Sequence, residues 1–149
     1  MSNSFQPDIL VLCCGSALAA GSLLPEGYRN EEGFRARFVR LPCGSKLESV
    51  NLVKLIERGI DGVVVITCPE GACRSIFGSA RAGNRVRYAA TCLEEAGIGA
   101  ARLGVVHGQG LGEKEMIAVA EERARAVHDL GPNPMKLEVD TIAGEEYAR

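Results

Sequence analysis

Apolar side chains in this chain gather in short unbroken runs, separated by stretches in which they recur every third or fourth position. Asp8-Ile-Leu-Val-Leu-Cys-Cys14 is one such run, closed by Gly15-Ser16, and predicts a strand covered on both faces, after which Ser16 can cap a short helix. Arg37-Phe-Val-Arg-Leu-Pro-Cys43 predicts a second strand, Gly62-Val-Val-Val-Ile-Thr-Cys68 a third and Leu103-Gly-Val-Val-His107 a fourth. Between them, Val53, Ile56 and Ile60 stand at helical spacing and predict a helix over 49–60, stopped by Gly59 and Gly62. Val86, Ala89, Leu93 and Ala96 predict a helix over 84–96 closed by Gly97, and Ile117, Ala120, Ala124 and Val127 one over 113–130 that ends at Gly131-Pro132.

Strand and helix thus alternate four times without a hairpin signal, which predicts parallel strands joined by right-handed crossovers. The expected architecture is α/β: one flavodoxin-like domain with a four-stranded parallel sheet in the order 2-1-3-4 and helices on both faces. No repeat, low-complexity stretch or linker divides residues 1–149, so the core is expected over about 8–131 with a loosely held tail over 132–149.

At 149 residues, with 46% hydrophobic and 24% charged, the chain is long enough to bury roughly two-thirds of its extended surface without disulfide scaffolding. A net charge of -2 provides no field to gather nucleic acid or an anionic membrane, and 5% aromatics without Trp supply few stacking platforms. The uncharged run from Ile9 to Pro25 only reaches the lower limit of about 17 residues for a span, and Gly15, Gly21 and Pro25 interrupt it. The first positive side chain is Arg29, so no basic segment precedes the apolar run as an export signal requires. No membrane span is expected, and the expected compartment is the cytoplasm. Six cysteines in a reducing compartment are metal ligands, redox groups or core packers rather than disulfides.

The predicted sheet brings those thiols to one place. Cys13 and Cys14 end the first strand, Cys43 the second and Cys68 the third, with Cys73 in the loop that follows; in a parallel sheet these ends share one edge. Open α/β sheets bind ligands at that edge, where the strand order reverses. Soft thiolates select zinc or iron–sulfur; the long separations, with only Cys68 and Cys73 close in sequence, favour iron–sulfur over a zinc site built of paired knuckles. The plainer reading makes each cysteine a small buried hydrophobe, as expected for Cys92 in mid-helix. Between Glu70 and Glu94 stand Arg74, Arg81, Arg85 and Arg87 with no acid, either a solvated helix face or a positive field for an anionic cluster and an acidic partner.

These pieces together resemble the delta subunit of methyl-viologen-reducing hydrogenase. The likeness runs over roughly residues 8–135. It includes the Cys-Cys after the first strand, Leu41-Pro-Cys43, Lys54 to Gly62, Cys68-x-x-Gly71-x-Cys73, Gly78 to Arg85-Val86, Leu93-Glu-Glu-Ala-Gly-Ile98 and Leu130-Gly-Pro-Asn-Pro134. The resemblance implies one [2Fe-2S] cluster on Cys14, Cys43, Cys68 and Cys73. It also implies electron transfer, without bond chemistry of its own, between a hydrogenase or formate dehydrogenase and the flavin of a heterodisulfide-reductase A-like partner. The family has a C-x-x-C after the first strand, and Ala17 stands where its second cysteine would fall; Cys13 is a possible substitute. Neighbours at a strand end point in opposite directions, so Cys13 and Cys14 are not expected to bind the same iron. Pro69, Glu70 and Ala72 also depart from the family's Cys-His-Pro-Gly-Asp-Cys loop. A cluster-less docking subunit of the same complex is a further possibility.

Two other classes compete. Cys68-Pro-Glu-Gly-Ala-Cys-Arg74-Ser75 fits the C-x5-R-[ST] loop of low-molecular-weight tyrosine phosphatases and arsenate reductases, with Cys68 as nucleophile and Arg74 as anion clamp. That family carries the loop after the first strand and needs an Asp in a later loop, whereas here the loop follows the third strand and the next Asp is Asp129. His107-Gly-Gln-Gly-Leu-Gly112 offers backbone N–H groups to a phosphate between a strand and a helix, but lacks the G-x-G-x-x-G spacing.

Overall fold

In the computed structural model, the described residues are 5–21, 24, 27–41, 46–69 and 78–136. β1 (Asp8–Cys14), β3 (Phe34–Leu41), β4 (Gly62–Thr67) and β5 (Leu103–His107) run parallel, and β2 (Tyr28–Glu31) pairs antiparallel with β3, giving the order β2-β3-β1-β4-β5. The helices are α1 (Ser49–Glu57), α2 (Gly78–Glu95) and α3 (Glu113–Leu130).

The α/β class is as expected, but the sheet is mixed and five-stranded rather than four-stranded and parallel. The extra strand comes from a hairpin whose two-residue turn, Glu32-Gly33, uses a left-handed Gly33 at φ +89°. Buried Phe34, Ala36 and Phe38 alternate with Arg35 and Arg37, so β3 starts three residues before the sequence reading and has one wet face. β2 is short and polar, which blunts an edge that would otherwise template pairing with another chain. Among the described residues no crossover helix follows β1: Gly15–Ala17 make a single 3-10 turn without a side-chain cap, and the hairpin leads on into β3.

Alternation along β1 and β4 splits the core in two. Val11, Cys13, Val64 and Ile66 pack under α3 with Met116, Ala120 and Val127. Leu10, Leu12, Val63 and Val65 pack under α1 and α2 with Leu52, Ile56, Val86 and Leu93. Each fully buried Val, Leu, Ile or Met in these clusters contributes about 1.5–3 kcal/mol of burial.

α2 begins six residues before the periodicity predicts, because Gly78, Ser79, Ala82 and Gly83 are all buried: small residues let the helix start close to the sheet without an apolar stripe. α1 ends where Gly59 turns left-handed at φ +99°, and α3 ends at Gly131 at φ +85°. Beyond it the chain is held by polar groups. Asn133 donates to Ile56 O and Ile60 O at 2.7 and 2.8 Å. Buried Asp61 accepts from the N–H groups of Asp8 and Asn133, each at 2.9 Å, and from Lys136 Nζ. Arg102, itself buried, donates to the carbonyls of Ile98, Asp61, Gly131 and Pro132. Burial pulls its pKa down, and Asp61 opposes that.

Candidate functional site

The carboxyl edge of the parallel strands holds Cys13 and Cys14 at the end of β1 and Cys68 one residue beyond β4, at 0%, 3% and 3% exposure. Register pairs Cys13 with Ile66, so Cys68 stands one residue further along its strand than Cys14 does along the neighbour. Strand spacing of ~4.8 Å and a rise of ~3.3 Å per residue put two such Cα atoms about 6 Å apart. Cys43 follows Leu41, which pairs with Cys14, by two residues; Cys43 and Cys73 lie outside the described residues. Among the described residues no three His, Cys, Asp or Glu side chains gather to hold a metal ion.

The two adjacent thiols of β1 have different surroundings. Cys13 belongs to the apolar cluster under α3, together with Val11, Ala17 and Met116. Burial pushes its thiol up to about 11; the neighbouring Cys14 adds to the rise and Arg40 opposes it. Ala17 is fully buried in the same cluster, whereas Cys14 is not part of it.

Segments from both sides close over this edge. Ala19 N–H donates to Leu111 O and Leu111 N–H to Ala17 O, each at 2.9 Å, so the stretches after β1 and β5 meet across the end of β4, which lies between those strands. Two more backbone donors of the glycine loop are used within the fold: Gly108 N–H goes to Thr67 O at 2.8 Å and Gly112 N–H to Glu115 Oε1 at 2.9 Å. The loop is a strap across the end of β4.

Sequence reasoning missed a polar cluster beside Cys68. Ser79, in the first turn of α2, donates to Cys68 O at 2.5 Å; its Oγ lies 3.1 Å from Thr67 Oγ1 and 3.1 Å from His107 Nδ1, and Thr67 Oγ1 lies 2.9 Å from that same nitrogen. Nothing in the periodicity marks Thr67 or Ser79; only their meeting does.

Of the arginines between Glu70 and Glu94, Arg81, Arg85 and Arg87 lie on α2, with Arg81 and Arg87 exposed as on a solvated helix face. Arg85 donates to Leu47 O at 3.0 Å and stands 3.7 Å from Glu48 Oε1, bracing α2 against the start of α1, and Arg87 donates to Asn84 Oδ1. Arg74 lies outside the described residues. Arg40 acts on Cys13 and lies against Gly15: a Cβ there would fall 2.7 Å from its Nε. Cys92 is half-buried on α2.

Residues 9–131 match the family model for the methyl-viologen-reducing hydrogenase delta subunit. The chain belongs to that family. The delta-subunit relatives include the vhu iron-sulfur subunit of the F420-non-reducing hydrogenase of Methanocaldococcus jannaschii, 30% identical over 87% of this chain and 97% of that protein. The protein of the same name from Methanococcus maripaludis is 27% identical over 88% of this chain and 98% of its own length. The iron-sulfur subunit of the F420-non-reducing hydrogenase of Archaeoglobus profundus is 26% identical over 89% and 96%. The described fold explains two of the motifs that carried the likeness. Leu93-Glu-Glu-Ala-Gly-Ile98 closes α2, with Leu93 O accepting from both Ile98 and Gly99, and Leu130-Gly-Pro-Asn-Pro134 docks the exit of α3 onto Asp61. No described helix is long and apolar enough to cross a membrane.

Proposed function

We propose that this chain is an electron-transfer subunit of a hydrogenase-type complex. In this reading it works in the cytoplasm and holds one [2Fe-2S] cluster on Cys14, Cys43, Cys68 and Cys73. When bound, such a cluster supplies a one-electron carrier and no bond chemistry. The electron donor is a hydrogenase or formate dehydrogenase module, and the acceptor is the flavin of a heterodisulfide-reductase A-like partner. Family membership carries the role, together with relatives named as iron–sulfur subunits that match over nearly their whole length.

The donor set fits the group chemically: two soft thiols, Cys14 and Cys68, sit at the same edge of the two central strands, where little water competes for a metal. Cys14 rather than Cys13 is the ligand from β1, since Cys13 is enclosed by apolar side chains in which its thiolate is disfavoured. The departure at Ala17 does not disturb this set, because Ala17 shares the α3-side cluster with Cys13 and not the surroundings of Cys14. Arg40 brings positive charge to the same edge, which stabilises an anionic cluster.

Anaerobically purified chain should be brown, with about two irons and two acid-labile sulfides per molecule. Cys14→Ala and Cys68→Ala should lose both, while Cys13→Ala keeps them. Colourless wild-type protein holding one zinc sinks the proposal.

A further inference from the structure

The cluster Thr67–Ser79–His107 is built from two side chains at 1% exposure and an imidazole on the last residue of β5, and it converges on a single carbonyl, that of Cys68. Buried hydroxyls are costly unless each proton and lone pair finds a partner. Counting protons fixes how this group is satisfied. Ser79 has one hydroxyl proton and gives it to Cys68 O. With His107 Nδ1 protonated, the imidazole donates to Thr67 Oγ1, Thr67 donates to Ser79 Oγ, and Ser79 donates to the carbonyl: every proton is used and all point the same way. With Nδ1 bare, Thr67 turns to it and Ser79 Oγ receives nothing. The protonated-Nδ1 arrangement is therefore the one that leaves neither hydroxyl oxygen without a donor, and donors aligned in series strengthen one another.

The peptide that follows Cys68 leads into Pro69 and has no N–H, so the polar group this peptide presents is the carbonyl alone. Its negative end lies next to a thiol assigned above as a ligand, and the hydrogen-bond chain neutralises part of that negative charge. Groups one layer outside the ligands tune a metal site in this way.

We propose that Ser79, backed by Thr67 and His107, is a positioning residue that sets the reduction potential of the cluster by holding and polarising the Cys68 carbonyl. This rests on the ligand assignment above. Removing the donor leaves more uncompensated negative charge beside the cluster, so an electron should be harder to add.

The test uses the full anaerobic chain as wild type, Ser79→Ala, Thr67→Ser and His107→Ala. Iron and sulfide are assayed first, then redox titrations are followed by absorption and electron paramagnetic resonance. Ser79→Ala should keep its iron and lower the equilibrium constant for reduction several-fold, approaching tenfold, which is 59 mV for a one-electron couple. His107→Ala should move it the same way by less, and Thr67→Ser, which keeps the hydroxyl, should stay within about twofold of wild type. Ser79→Ala with full iron and an unchanged potential overturns this inference and leaves the cluster assignment standing. Should Ser79→Ala fail to load iron, an unchanged potential in His107→Ala overturns it instead. Wild type without iron overturns the cluster assignment itself, and this inference with it.

Discussion

Two neighbouring thiols at the end of β1 end up in different surroundings because a strand turns successive side chains to opposite faces. Cys13 takes the face of Val11 and Ile9, under α3, while Cys14 takes the other. The same crowding governs a glycine on β4. A Cβ on Gly62 would stand 2.7 Å from Val127 Cγ2 and 3.0 Å from Ile9 Cδ1, both anchored core atoms. Gly62→Ala should cost about 1–3 kcal/mol through overpacking, seen as a lower denaturant midpoint with an unchanged slope. A Cβ on Gly104 would likewise meet the Arg123 guanidinium, which donates to Ala101 O at 2.9 Å.

Whole elements are placed by polar locks as much as by apolar stripes. The stretch after α3 is tied down through Asp61, which is fully buried and accepts from Asp8, Asn133 and Lys136. Asp61→Ala strips two backbone donors and a lysine of their acceptor at once, so a loss of about 3–5 kcal/mol is expected in equilibrium urea unfolding. A loss under 1 kcal/mol would mean that water replaces those bonds. Sequence reading recovered α3 over 113–130 and the stop at Gly131 because a four-residue period and a left-handed glycine are local signals. It missed the first six residues of α2, since a helix face built from Gly78, Ser79, Ala82 and Gly83 has no hydrophobic contrast to detect. It also missed the β2–β3 hairpin. Tyr28-Arg-Asn-Glu31 is too polar to read as a strand; pairing with Phe34–Arg37 organises it.

For the molecule as a whole, burial is graded across the sheet. β4 is buried at every position and β1 at all but its first residue, whereas β2 alternates between exposed and half-buried at one edge and β5 ends in exposed His107 at the other. Native-state hydrogen exchange should therefore be slowest for Val11–Cys13 and Val63–Ile66 and fast in β2. Protection in β2 equal to that of β4 would indicate that another chain covers the edge. The candidate site inherits this gradient, because Cys14 and Cys68 stand at the ends of the two most protected strands.

The order of the four parallel strands and the three α-helices, the edge on which the thiols of Cys14 and Cys68 fall and the family likeness were all legible in the sequence. Periodicity, turn residues and motif order are properties of neighbouring positions, and they survive in the unfolded chain. Which of Cys13 and Cys14 packs under α3, how the strap of Leu111 closes over β4, and the junction of Thr67 with Ser79 and His107, 12 and 40 positions away, were decided only by the fold. Such contacts depend on distances through space between residues far apart in sequence. Those distances take definite values only when parallel strands bring their ends to a common edge.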